Sequence, residues 1–190
     1  MAVKADHWIV QQAFEKGMIE PFQESQVSRG RISSGVSSYG YDFRLDRKYQ
    51  VFRGTAATLL DPKSIGEDLF EAMEGDHCDI PAHSYVLAKS LEFFRIPRDI
   101  LCICTGKSTY ARCGVLVNVT PLEPEWEGYL TVSIANLSPA RVRLYSGEGI
   151  GQLIFLESHD PCRTSYKDRK GKYQGQQQIE LSKIQPEDAA

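Results

Sequence analysis

Between Gly106 and Gly114 the sequence reads Gly-Lys-Ser-Thr-Tyr-Ala-Arg-Cys-Gly, so an ammonium, two hydroxyls and a guanidinium fall within one short turn. A glycine leading into a short helix offers free N–H groups and a positive dipole end to an anion. Lys107, Ser108, Thr109 and Arg112 add charged and neutral donors to that end. The fragment also invites a phosphate-loop reading. That motif needs a glycine five positions before Gly106, and Leu101 stands there, so the Walker pattern fails. The anion-binding physics of the fragment survives the failure. Cys113 lies beside Arg112 and is a candidate nucleophile with a lowered pKa. No histidine is near it in sequence and apolar residues follow, which favours plain packing.

Further on, Leu122-Glu123-Pro124-Glu125-Trp126-Glu127-Gly128 carries three carboxylates. It can be read as a solvated turn stiffened by Pro124, or as a place where a carboxylate contacts a sugar or a water. Protein-bound zinc is rejected. There is no Cys-x-x-Cys and no His-Glu-x-x-His, and His7, His77, His83 and His159 are scattered. The zinc-deaminase signature also breaks: His83 is followed by Ser84-Tyr85, and Pro161-Cys162 by Ser165 where a cysteine is required. A magnesium ion brought in by a phosphate ligand fits better, because such an ion needs few protein ligands.

These groups need a scaffold, and 190 residues suffice for one domain with a real core. With 22 Lys+Arg against 25 Asp+Glu there is no basic excess, so a nucleic-acid polymer is not the expected partner. No apolar run approaches the ~20 residues of a membrane span, and no charged-then-apolar leader opens the chain. A cytoplasmic protein without a membrane partner is expected. Five cysteines, an odd number, argue against a disulfide framework. Cys102 and Cys104 alternate in an apolar run and should share one strand face.

Residues 6–17 read as a helix with Asp6 as N-cap, Ile9, Val10, Ala13 and Phe14 as its apolar stripe, and Gly17 at its end. The Gly/Ser/Tyr segment 33–42 is either a surface loop or a site lining. Residues 64–74 suggest a short acidic helix capped by Ser64 and ended by Gly75. Strands are predicted over 80–89, 91–97, 100–105, 115–120, 129–134, 142–145 and 150–156. Short strands punctuated by Pro and Gly point to an antiparallel sandwich or barrel. After Ser158 the chain turns polar, basic and Gln-rich, which describes either a disordered tail or a basic flap that orders over an anion.

Several blocks together resemble bacterial dCTP deaminases: Ser37-Ser-Tyr-Gly-Tyr-Asp42, Phe94-Arg-Ile-Pro97, Gly106 to Gly114, Val117-Asn-Val-Thr-Pro121, Glu123-Pro-Glu-Trp-Glu-Gly128 and Gly171-Lys-Tyr-Gln-Gly-Gln176. The resemblance covers almost the whole chain in order. It implies a mainly β, dUTPase-like fold, a distorted jelly-roll barrel with a few short helices, as one domain over 1–190. It also implies a C-terminal flap over about 159–190 and a homotrimer with sites between subunits. The implied activity is a zinc-free hydrolysis of dCTP to dUTP and ammonia in pyrimidine deoxynucleotide metabolism, with magnesium on the triphosphate. Some relatives carry the nucleotide on to dUMP and pyrophosphate.

By the same resemblance, Lys107 and Thr109 contact phosphates, Ser108 holds the attacking water or the exocyclic amine, and Arg112 orients the catalytic carboxylate. Val119 and Thr120 read the base through backbone groups, and Glu123 lies near the deoxyribose. Gln152 is a further nucleotide contact. Tyr166, Lys172 and Gln176 close from the flap. The family's essential glutamate, counted from Trp126, falls on Ser133. A serine does not hold a proton near neutral pH as a carboxylate does. The resemblance therefore implies deamination that is impaired or altered at this position. The alternatives are phosphate-chain hydrolysis of dUTP or dCTP using Glu123 or Glu125, or nucleotide binding without catalysis.

Overall fold

From Glu127 to Asn136 apolar and polar residues alternate, and the chain folds there as a strand with two unlike faces. Gly128, Leu130, Val132, Ile134 and Asn136 are buried, while Tyr129, Thr131, Ser133 and Ala135 are only half-buried on the other side. A period of two sends successive side chains to opposite faces of a sheet, so this strand divides a core from a cavity. The computed structural model describes residues 2–54 and 59–184. Residues 185–190 of the predicted flap lie outside the described residues.

In chain order the elements are β1 (Ala2–Val3), α1 (Asp6–Lys16), β2 (Ile19–Glu20), β3 (Gly35–Ser37), β4 (Gly40–Phe52), β5 (Phe70–Glu74), β6 (His77–Ile80) and β7 (Ser84–Arg95). There follow β8 (Ile100–Gly106), α2 (Ser108–Ala111), β9 (Val115–Asn118), β10 (Glu127–Asn136), β11 (Val142–Tyr145) and β12 (Gly149–Glu157). The main sheet runs β1-β12-β4-β7-β10-β9, with β8 also on β12, β3 and β5 on β4, and β2 on β7. Strands β6 and β11 pair separately. Ladders between these strands are antiparallel, as the sequence predicts. The strands curl around one core in which Tyr41, Phe43, Tyr49, Phe94 and Phe155 are among the largest fully buried side chains. No described helix is long and apolar enough to cross a membrane.

Glu92 is wholly buried in that core, and its carboxylate is satisfied locally. It accepts from Arg44 Nε at 2.7 Å, from the Arg44 backbone N–H at 3.0 Å and from the Tyr41 hydroxyl at 3.3 Å. Burial nevertheless pushes its pKa up, the Arg44 guanidinium working against the shift.

Four details depart from the sequence expectation. Ala5, not Asp6, is the N-cap of α1; Asp6 sits in the first turn and accepts from the His7 backbone N–H at 2.7 Å. Phe14 is 66% exposed instead of inward, and meets Phe22 edge-on with centroids 5.4 Å apart. The predicted helix over 64–74 is a single 3₁₀ turn, Glu67–Leu69, followed by β5. There Phe52 pairs with Phe70 across the ladder and Tyr85 stacks on Phe52 at 4.8 Å, so cross-strand aromatic packing overrides the helical period. The two strands predicted over 80–97 are one strand, β7. A register shift opposite Tyr129 and Thr131 absorbs the irregularity, and Ser90 Oγ fills the gap by accepting from Leu130 N–H at 2.8 Å.

Candidate active site

On the outer face of β10 a cavity of about 380 Å³ opens between that strand, the segment 119–126 and the C-terminal residues. Val119, Thr120, Glu123, Ser133, Tyr166 and Gln176 all line it, so six of the predicted site residues share one space. Phe70, Tyr85, Leu87, Trp126 and Tyr173 supply apolar and aromatic wall. A largely apolar pocket with a few fixed polar groups suits a flat, partly polar ring. Ser133 stands on the floor, opposite Leu87 of β7 and Asn118 of β9 in the ladders.

The C-terminal segment reaches the cavity as a strap. Tyr166 N–H donates to Pro124 O at 3.0 Å, and Gly175 N–H to Glu127 O at 2.9 Å. Tyr129 N–H donates to Gln176 O at 2.9 Å, and the Gln176 side-chain amide returns to Tyr129 O at 2.9 Å and also reaches Thr131 Oγ1. Trp126 Nε1 donates to Tyr173 O at 3.0 Å. The strap passes so near Gly128 that an added Cβ would sit 2.9 Å from Gln176 N, and the glycine has φ 147°. No larger residue fits that close approach without moving the strap. Arg98 fixes the strap's start: its guanidinium pairs with Glu125 and reaches Asp168 Oδ2 at 2.8 Å. That contact and the Ser165 backbone N–H hold the Asp168 carboxyl down at about 2.

The remaining predicted residues lie elsewhere in the chain. Lys107 is paired through Nζ with Asp42 Oδ2 at 2.6 Å, and Gln152 Nε2 reaches Asp42 Oδ1 at 3.2 Å and Ser37 Oγ at 2.8 Å. The segment 33–42 is therefore the β3–β4 hairpin, and Asp42 within it gathers the cation. Ser108, Thr109 and Arg112 are exposed on and after α2, where Arg112 donates to Ser108 O at 3.1 Å. Thr109 and Arg112 line a second cavity together with Arg141, Arg143 and Tyr145. Strand β9 separates α2 from the segment at 119–120, and its four residues span roughly 13 Å. One chain thus brings the cavity-lining residues together and leaves Lys107, Ser108, Thr109 and Arg112 apart from them. Lys172 is exposed, its Nζ near the Lys183 carbonyl and 5.1 Å from the Tyr173 ring centroid.

Sequence reasoning missed Asp42 as the partner of Lys107, and it missed Thr131 and Glu180. The alternation of β10 carries the signal for Thr131, which shares a face with Ser133. Glu180 lies in a stretch without periodicity and left no signal. Among the described residues no group of three or more His, Cys, Asp or Glu comes together as a metal site. Burial pushes the thiol of Cys78 up to about 11 and that of Cys104 up to about 12, and raises Cys102 well above its ordinary value. Those three thiols are packing groups.

A curled antiparallel barrel with a strapped cavity on its outer face defines the jelly-roll, dUTPase-like class of fold. A solved dCTP deaminase from Agrobacterium tumefaciens has the same fold, with a TM-score of 0.60 at 16% identity, matching 83% of this chain and 48% of that one. The family model for dCTP deaminase-like proteins matches residues 3–158. The chain is 54% identical over 186 residues to a dCTP deaminase of Chloroflexus aggregans, covering 98% of this chain and 100% of the relative. It is 52% identical over 184 residues to that of Acidobacterium capsulatum, covering 97% and 100%. This chain belongs to the dCTP deaminase-like family.

Proposed function

We propose that the chain binds dCTP and hydrolyses it to dUTP and ammonia, with the cytosine seated in the cavity on β10. The observation that carries this reading is the meeting of Val119, Thr120, Glu123, Ser133, Tyr166 and Gln176 in that one cavity. Backbone groups at Val119 and Thr120 would read the ring edge, and Glu123 would face the sugar. Tyr166 and Gln176 would hold the strap down as a lid that shuts out bulk solvent and keeps the reacting water inside during turnover.

No Lys or Arg is among the described residues lining the cavity, yet a triphosphate needs cations. The site is therefore completed by a second copy in a homotrimer, whose Lys107, Ser108, Thr109 and Arg112 meet the phosphates and the reacting amine. Asp42 would orient Lys107 towards the anion, with Gln152 beside it, and Lys172 would join from the strap. Magnesium fits as an ion carried on the triphosphate, since hydroxyls and cations at 107–112 suit phosphate oxygens and leave the metal's coordination to the nucleotide and water. Bound there it would neutralise phosphate charge.

Ser133 leaves the proton-transfer role open in this reading, because no carboxylate stands at the position where the family's glutamate is expected. The test is to incubate the protein with dCTP, and separately with dUTP, each with magnesium, and to assay ammonia and pyrophosphate. Ammonia from dCTP is expected. Pyrophosphate without ammonia would move the reaction to the phosphate chain and overturn the proposal.

A further inference from the structure

Deamination needs a group that takes a proton from water and gives it back, and the Ser133 hydroxyl is a poor one near neutral pH. Two carboxylates line the cavity that Ser133 floors, Glu123 and Glu180. Glu123 is already engaged by the Arg169 guanidinium of the strap. Glu180 enters differently. Its backbone N–H donates to Thr131 Oγ1 at 3.0 Å, and Thr131 already receives the Gln176 side chain. Thr131 and Ser133 share the cavity face of β10, one same-face step of ~7 Å apart. A glutamate side chain spans most of such a step. The Glu180 carboxylate is half-buried and its ion-pair partner is Lys183, three residues along the same strap. A partly exposed local pair of that kind is weak and yields to a better partner.

We infer that Glu180 is the general base of this chain, delivered by the closed strap to the place that Ser133 leaves without a carboxylate. The inference rests on the deaminase reading above. In the first step the water oxygen bonds to C4 of the cytosine while its proton passes to the Glu180 carboxylate, and the C4=N3 electron pair moves onto N3. Glu180 returns that proton to N3. In the second step the hydroxyl proton of the tetrahedral carbon moves through the same carboxylate to the amino group. The C4–N4 bond breaks, C4=O forms, and ammonia leaves with dUTP as product. Strap closure and proton transfer then become one event, since an open strap carries the base away.

The test compares wild type, Glu180→Gln, Ser133→Glu and the double variant in full-length protein, measuring ammonia release and dCTP affinity across pH. Glu180→Gln should lower kcat by roughly 10²–10⁴-fold, leave dCTP affinity nearly unchanged, and erase the acid limb of the kcat–pH profile. The double variant should regain most of the lost rate, because Glu at 133 supplies a base that does not depend on the strap. A strap-closing role for Glu180 would not be rescued that way, so a double variant as slow as Glu180→Gln overturns the inference. An unaltered kcat in Glu180→Gln overturns it too, while leaving the deaminase reading standing. A wild type that binds dCTP and releases no ammonia overturns both.

Discussion

At position 133 a hydroxyl occupies the floor of a cavity whose other lining is well suited to a nucleotide base. Ser133 lies between Leu87 and Asn118 in the ladders and on the half-buried face of β10, so a longer polar side chain would extend into the cavity without meeting the core. Ser133→Glu is therefore expected to fold normally and, in the Glu180→Gln background, to raise kcat for dCTP by up to roughly 10²–10⁴-fold. Steady-state ammonia release checks it, and an unchanged or lower kcat would mean that another group sets the rate. The exposure of this position was legible in the sequence, because the alternation Leu130, Val132, Ile134 leaves Ser133 on the opposite face. The Asp42–Lys107 pair was not, because its two residues are 65 apart and only the curling of β4 towards the end of β8 brings them to 2.6 Å.

The strap is the element on which the account turns. It holds no long helix or strand of its own and is fastened by backbone bonds to Pro124, Glu127 and Tyr129 and by Arg98. The Asp168 carboxyl is depressed to about 2, mainly by the Arg98 guanidinium and then by the Ser165 backbone N–H. A depressed folded-state pKa stabilises the docked strap above the ordinary carboxylate range, near ~4, and that contribution is lost as pH falls through about 2. Amide protection in 163–183, measured relative to intrinsic exchange, should accordingly fall as pH drops from ~4 towards about 2 in wild type. In Arg98→Ala it should already be low at neutral pH; equal protection in that variant would contradict the anchoring role. The sequence left this segment open between tail and flap, for a physical reason: its contacts are to the backbone of 124–131, and composition does not report backbone partners. The short helix expected over 64–74 failed for a related reason, since Phe70 finds Phe52 and Tyr85 across strands.

For the whole molecule, the separation of Arg112 from Ser133 and Glu180 makes a specific prediction about assembly. If each site takes α2 from one subunit and β10 with its strap from another, two variants that are each inactive should complement. Arg112→Ala and Glu180→Gln, coexpressed, should recover about a quarter of wild-type activity, because sites with both halves intact form at random in the mixed trimer. No recovery in verified mixed oligomers would place both halves in one chain. The barrel itself was readable from short strands and turns; the distance between α2 and the cavity was not, because it depends on how far β9 carries the chain from α2. The most direct test of the central claim is a single turnover of dCTP in ¹⁸O-labelled water with magnesium, followed by mass analysis of base and phosphates. Attack at C4 predicts one labelled oxygen on the uracil of the product and none on phosphate. Label on a phosphate, with the cytosine intact, would contradict it.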